Sequence, residues 1–121
     1  ALSLFFVPAT LVDNPPEDSR IVQEEQFGPV LPLLKFATIE DALKRANASD
    51  MGLAGTVWSK DTAMALRVAE GMETGNVWIN EGLALSPFAA FGGRKQSGIG
   101  TENGIDGLMA YTEPKTFLVV Q

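Results

Sequence analysis

LAGTVWSKDTAMALRVAEGMETGNVWIN, residues 53–80, places a helical pattern between two short apolar runs. Leu53 to Trp58 reads as a short buried strand. Ala65, Val68, Ala69 and Met72 recur at the three- and four-residue spacing of one helix face, and that helix is expected to end before Gly75. Asn76 to Asn80 reads as a strand again. Strand, helix and strand joined by links this brief call for parallel strands with a right-handed crossover between them, hence an α/β sheet.

The flanking sequence extends the same pattern. Val30 to Phe36 is a near-continuous apolar run, and Pro32 inside it predicts a strand that is not central throughout. Thr38 with Asp41 resembles a capping box with Asp in the usual Glu or Gln place, and Ile39, Ala42, Leu43 and Ala46 follow helical spacing up to a stop near Asn47 to Gly52. Leu4 to Val12, broken by Pro8, predicts an edge or bent strand before a turn at Asp13-Asn14-Pro15-Pro16. Beyond residue 80 the periodicity stops. Glu81 to Gly100 is expected to be a long ordered loop, functional by its length and anchored by Leu83, Leu85 and Phe91. A helix over Asn103 to Ala110 and a strand over Thr116 to Val120 are expected to close the chain. The whole reads as one domain, residues 1–121, of three-layer α/β type with a mostly parallel sheet flanked by helices.

Composition narrows the function. A chain of 121 residues is one domain by size, able to bury roughly two thirds of its unfolded surface. Its hydrophobic fraction of 45% and charged fraction of 20% are ordinary for a globular domain. A net charge of -6 opposes phosphate backbones and anionic membranes, so neither nucleic acid nor a membrane is an expected partner. No apolar run is long enough to span a bilayer, and the first residues lack the basic region of a signal peptide, so a cytoplasmic location is expected. The chain contains no cysteine and no histidine. That removes disulfides, thiolate chemistry, imidazole bases and nearly every zinc site, and no metal is expected. The opening without Met and the apolar end, FLVVQ, are what a segment cut from a longer chain would show.

Two stretches could carry chemistry. EEQFGPV, residues 24–30, sets two carboxylates beside a phenylalanine ahead of the Gly28-Pro29 bend; taken alone it reads as a solvated acidic pair with Phe27 plugging a core. GGRKQSGIG, residues 92–100, offers glycine amides and the charges of Arg94 and Lys95, as a phosphate cradle does. It departs from the P-loop because Gln96 follows Lys95, and GIGTENG has the wrong glycine spacing for a dinucleotide fingerprint, so a structural turn is the better reading of both.

EEQFGPV, RAN, GLAGTVWSKD, GNVWIN, FGGRKQSGIG and YTEPKT, taken in this order and spacing, resemble the C-terminal quarter of the aldehyde dehydrogenase superfamily, over residues 3–119. The resemblance implies the second half of a catalytic domain that oxidises an aldehyde to the carboxylic acid with NAD or NADP and a cysteine nucleophile. That cysteine, the water-activating glutamate and the cofactor domain are implied to lie upstream. It further implies that Glu25 accepts hydrogen bonds from the nicotinamide ribose and that Phe27 packs near the nicotinamide, with Glu24 a neighbouring surface charge. An ionised carboxylate can take both vicinal hydroxyls in charge-assisted bonds, and an apolar ring helps exclude water from a hydride transfer. Leu83, Ala84, Leu85 and Phe91 match the wall of the aldehyde tunnel. Glu102 matches a carboxylate behind the catalytic site, although a glutamate at a helix start also suits the helix dipole without any catalytic duty. Asn80 is expected to order the loop through backbone bonds. The implied partners are an aldehyde substrate, the remainder of the dehydrogenase chain and further copies in a homo-oligomer, to which the terminal FLVV strand could lend an edge.

Three positions depart from the family pattern: Ala90 stands where Pro usually precedes FGG, Thr101 where Arg is common, and Glu81 where relatives carry an uncharged or imidazole side chain. The competing reading is a non-enzymatic α/β interaction module that keeps the scaffold without the chemistry.

Overall fold

The computed structural model describes residues 6–121. In chain order its elements are β1 (Thr10–Asp13), α1 (Arg20–Gln23), β2 (Val30–Leu33), α2 (Ile39–Asn47), β3 (Met51–Gly52), β4 (Ala54–Val57), α3 (Thr62–Gly71), β5 (Asn76–Ile79), β6 (Arg94–Lys95) and α4 (Gly104–Met109). They fall into two compact units, one through Ala42 and one from Leu43 onward.

In the first unit β1 and β2 pair in parallel, Thr10 opposite Val30 and Asp13 opposite Leu33. A two-stranded ladder has an outer side, which is where Pro32 can sit without leaving a partner's carbonyl unmet. The ladder half-buries one face, carrying Thr10, Val12, Val30 and Pro32, while Leu31 and Leu33 on the other remain open. The expected first strand begins at Leu4; residues 4 and 5 lie outside the described residues, and the ladder starts only at Thr10, past Pro8. Thr38 accepts the Asp41 N–H on its hydroxyl at 3.1 Å, which is the Thr half of the expected capping box.

The second unit is built on the strand-helix-strand segment. β4 and β5 pair in parallel, Ala54 opposite Asn76 and Val57 opposite Ile79, and α3 crosses between them and packs on both. Asp61 starts that helix by accepting the Met64 N–H at 2.9 Å on its side chain. Ala65, on the predicted apolar face, is the one hydrophobic side chain among the described residues that is fully buried. Gly75 is required where it stands, because a β-carbon there would penetrate the Gly92 carbonyl.

The loop from Glu81 to Gly100 is not irregular throughout. Arg94 and Lys95 form β6, antiparallel to β3, a short ladder with no periodicity to reveal it. Nor do its leucines anchor it: Leu83 and Leu85 are exposed, and polar bonds hold the loop instead. Thr116 to Val120 forms no ladder, and Phe117 through Val120 stand open. Apolar, β-favouring residues need a partner edge to become a strand, and this run pairs with none of the described ladders. The chain is α/β, as its periodicity predicts, with two parallel ladders and one antiparallel ladder among the described residues. The large core expected from its length is not reached, because a two-stranded ladder covered on one face by one helix leaves its other face open.

Candidate functional site

In the first unit, the link from α1 to β2 separates the two glutamates. Arg20 Nε–H donates to Glu24 Oε1 at 2.7 Å and Arg20 Nη2 to Glu24 Oε2 at 2.9 Å, a bidentate pair one helical turn apart. Those hydrogen bonds hold the Glu24 carboxyl below the ordinary glutamate range, with the Arg20 charge adding to them, and push the guanidinium of Arg20 upward. Glu25 has no hydrogen-bond partner among the described residues and faces solvent. Phe27, two residues on, is 96% exposed. The reading of Phe27 as a core plug is thereby overturned. The loop presents one unengaged carboxylate and one open aromatic face, and then turns back into β2 as Val30 N–H bonds the Gly28 carbonyl at 2.8 Å.

In the second unit, β5 from Asn76 to Trp78 and the loop that follows it border a cleft of about 280 Å³, lined by Asn76, Trp78, Ala84, Leu85, Ala90 and Phe91 among others. Three of the four expected tunnel residues, Ala84, Leu85 and Phe91, therefore meet at one surface. Leu83 does not line it, and its backbone takes the left-handed conformation at φ 65°. Trp78 joins the walls: its indole N–H donates to the Ala84 carbonyl at 2.8 Å, and its ring lies 6.5 Å from that of Phe91, tilted by 33°. Phe91 is fixed in turn by two backbone bonds of 2.7 Å exchanged with Glu102. Glu102 is thus paired through its backbone with a cleft residue but does not itself line the cleft; its side chain is exposed, two residues ahead of α4.

Asn80 orders the mouth of the loop with its side chain rather than its backbone alone. Its Oδ1 accepts the Ser59 N–H and its Nδ2 donates to the Ser59 carbonyl, both at 2.8 Å, extending the β4 to β5 pairing by one rung. Glu81 turns its carboxylate onto the Gly82 N–H at 2.8 Å. Lys95 holds the Asn47 and Ser49 carbonyls at 2.6 and 3.0 Å and the Glu73 carboxylate at 2.9 Å, so the charge in GGRKQSGIG closes the C-terminal end of α2 and the segment is the structural turn expected of it.

Sequence reasoning missed Trp78, Asn76 and Ala89 as cleft residues. A tryptophan inside GNVWIN reads as strand packing; the available hint was its indole N–H, a donor that needs an acceptor when partly covered. Among the described residues no group of three His, Cys, Asp or Glu side chains could hold a metal ion, and no helix is long and apolar enough to cross a membrane.

Residues 3–117 match the family model described as the aldehyde dehydrogenase family. Retinal dehydrogenase 2 of Homo sapiens is 45% identical over 115 residues, which are 95% of this chain and 22% of that protein. An aldehyde dehydrogenase of Davidiella tassiana is 46% identical over 112 residues, 93% of this chain and 23% of that protein. The crystal structure of betaine aldehyde dehydrogenase from Staphylococcus aureus, in complex with NAD+, is similar with a TM-score of 0.80 at 48% identity, covering 84% of this chain and 20% of the other. The chain spans about a quarter of the length of the curated relatives it matches.

Proposed function

Because the chain belongs to the aldehyde dehydrogenase family, we propose that it is the C-terminal catalytic-domain portion of an NAD(P)-dependent aldehyde dehydrogenase, where it supplies a nicotinamide-ribose clamp, part of the aldehyde tunnel and contacts between subunits. The observation that carries this reading is the contrast between neighbours: Glu24 is engaged by Arg20, whereas Glu25 keeps its carboxylate without a partner among the described residues, beside the open ring of Phe27.

These residue types fit the nicotinamide end of NAD(P). When bound, that group would supply the hydride acceptor for oxidation at the aldehyde carbon. Glu25 would accept hydrogen bonds from the two ribose hydroxyls, and bonds to an ionised partner are stronger than neutral ones. Phe27 covers an apolar face and keeps water from it. Ala84, Leu85 and Phe91 offer the aldehyde an apolar wall, with Leu83 turned outward at the loop's bend. Glu102, tethered through its backbone to Phe91, is the carboxylate to which this reading gives the proton-holding role. The chain has no cysteine and no histidine, so nucleophile and base are expected from protein beyond these residues, in the assembled enzyme.

The test is a pair of substitutions in the full-length dehydrogenase that carries this segment. Glu25→Gln keeps the shape but gives up the charge. Displacing a reacting atom by about 1 Å can lower a rate on the order of a hundredfold, so single-turnover hydride transfer should fall roughly ten to a hundredfold, with a smaller change in cofactor affinity. Glu24→Gln should leave that rate nearly unchanged. Equal behaviour of the two variants, or an untouched hydride rate in Glu25→Gln, refutes the clamp.

A further inference from the structure

Resting on the assignment of the cleft to the aldehyde, we infer that Trp78 is a positioning residue that sets the width of that cleft and so the size of aldehyde the enzyme prefers. The cleft has two walls of different origin. One is the segment through Ala84 and Leu85, which follows Leu83 in a left-handed bend that a bulky side chain rarely adopts unless its surroundings impose it. The other is Phe91, locked to Glu102 by a reciprocal pair of 2.7 Å backbone bonds. Trp78 touches both. Its N–H holds the Ala84 carbonyl at 2.8 Å, one residue past the bend, and its ring leans against Phe91 at 6.5 Å.

The strand behind Trp78 gives it a fixed base. Thr56 of β4 is its partner in the parallel ladder, and two residues later the Asn80 side chain clasps Ser59. The indole therefore acts as a strut standing on a paired strand, with the loop pinned to one side and a locked ring on the other. Among the hydrogen bonds described for residues 83–85, the one from Trp78 is the bond that reaches back to a strand. Without it the Leu83 bend is free to relax to negative φ, and Leu85 moves with it. A change in width acts on long and short aldehydes unequally, whereas simple loss of fold lowers all rates together.

The experiment compares Trp78→Phe with the wild type in the full-length enzyme, using propanal and octanal as probes. Trp78→Phe keeps an aromatic ring beside Phe91 and removes the N–H. The ratio of kcat/KM for octanal to that for propanal should change at least threefold, through KM for the long aldehyde, whereas loss of fold would lower both values by the same factor and leave the ratio where it was. The same substitution is then made in a Leu83→Gly background, where glycine takes the left-handed bend without steric cost, so the bend depends less on the pin, and which supplies a second folded frame. There the change in ratio should shrink to half or less. An unchanged ratio in Trp78→Phe, or equal changes in the two backgrounds, overturns the strut while leaving the enzyme an aldehyde dehydrogenase. A wild type that oxidises neither aldehyde nor any other overturns the proposed function itself, and the strut with it.

Discussion

Glu24 and Glu25 are adjacent and chemically identical, and their surroundings make them different. The Arg20 guanidinium lies one turn before Glu24 and bonds both of its carboxylate oxygens. Its effect on the titration is therefore a direct readout of the pair. A carboxyl lowered in the folded state stabilises it above the unfolded value, and that contribution is lost as pH falls through the folded value. For Glu24 this window lies below the ordinary glutamate range. The expected outcome is that the Glu24 side-chain carboxyl carbon, followed by NMR in a specifically labelled full-length protein, titrates at lower pH than an unpaired glutamate. High salt should return it toward the ordinary value, since the pair is exposed. Arg20→Gln should do the same without salt. A Glu24 that titrates identically in wild type and Arg20→Gln contradicts the pairing.

Single elements in the second unit are held less by apolar burial than by side chains bonded to backbone ends. Asn47, the last residue of α2, donates to the Gly71 carbonyl at 2.8 Å and accepts the Glu73 N–H at 2.9 Å, so the end of one helix stitches the end of the next. Lys95 completes the joint from the other side, with only 24% of its side chain exposed. A partly buried cation at a helix C-terminus contributes up to about 2 kcal/mol. Lys95→Met should therefore speed hydrogen exchange of the Ala46 and Asn47 amides on the order of tenfold or more, by loosening the last turn of α2. Glu73→Gln should have a much smaller effect, because the Glu73 side chain is 59% exposed and its half of the pair is screened by water. Equal exchange in Lys95→Met and wild type removes the cap from the account of α2. The glycines of the FGG segment belong to the same joint: Gly75 lets the Gly92 carbonyl approach β5, and Asn76 bonds that carbonyl at 3.0 Å.

At the scale of the molecule, the apolar surface is the dominant fact. Ala65 is the sole fully buried hydrophobic side chain among the described residues, while Trp58, Ile99, Ile105, Phe117 and Leu118 stand largely open. With about 25 cal/mol gained per Å² of apolar area removed from water, such a surface drives association with more protein. The 121-residue chain expressed alone should bind a hydrophobic dye and unfold without a sharp transition. It should also form no NAD(P)H from aldehydes, having neither thiolate nor imidazole, and bind NAD no better than about millimolar, since one carboxylate and one ring do not offset the immobilisation of a dinucleotide. A cooperative unfolding curve, or a micromolar dissociation constant by calorimetry, contradicts this expectation. The sequence by itself determined the order of strand and helix from Val30 to Asn80, apart from the two-residue β3, because periodicity is a local property of the backbone and β4, α3 and β5 each satisfy it within a few residues. Its motifs also determined the family. The tertiary structure alone decided which of two neighbouring glutamates is engaged, that Lys95 serves a helix end rather than a phosphate, that Trp78 rather than Leu83 borders the cleft, and that Thr116 to Val120 remains without a ladder. In the Lys95 joint and the terminal run, the deciding partner lies far along the chain or is absent from the described segments. In the glutamate and Trp78 cases it lies within six residues, but side-chain geometry selects one acceptor among several that the spacing allows, and no pattern of residue types records that choice.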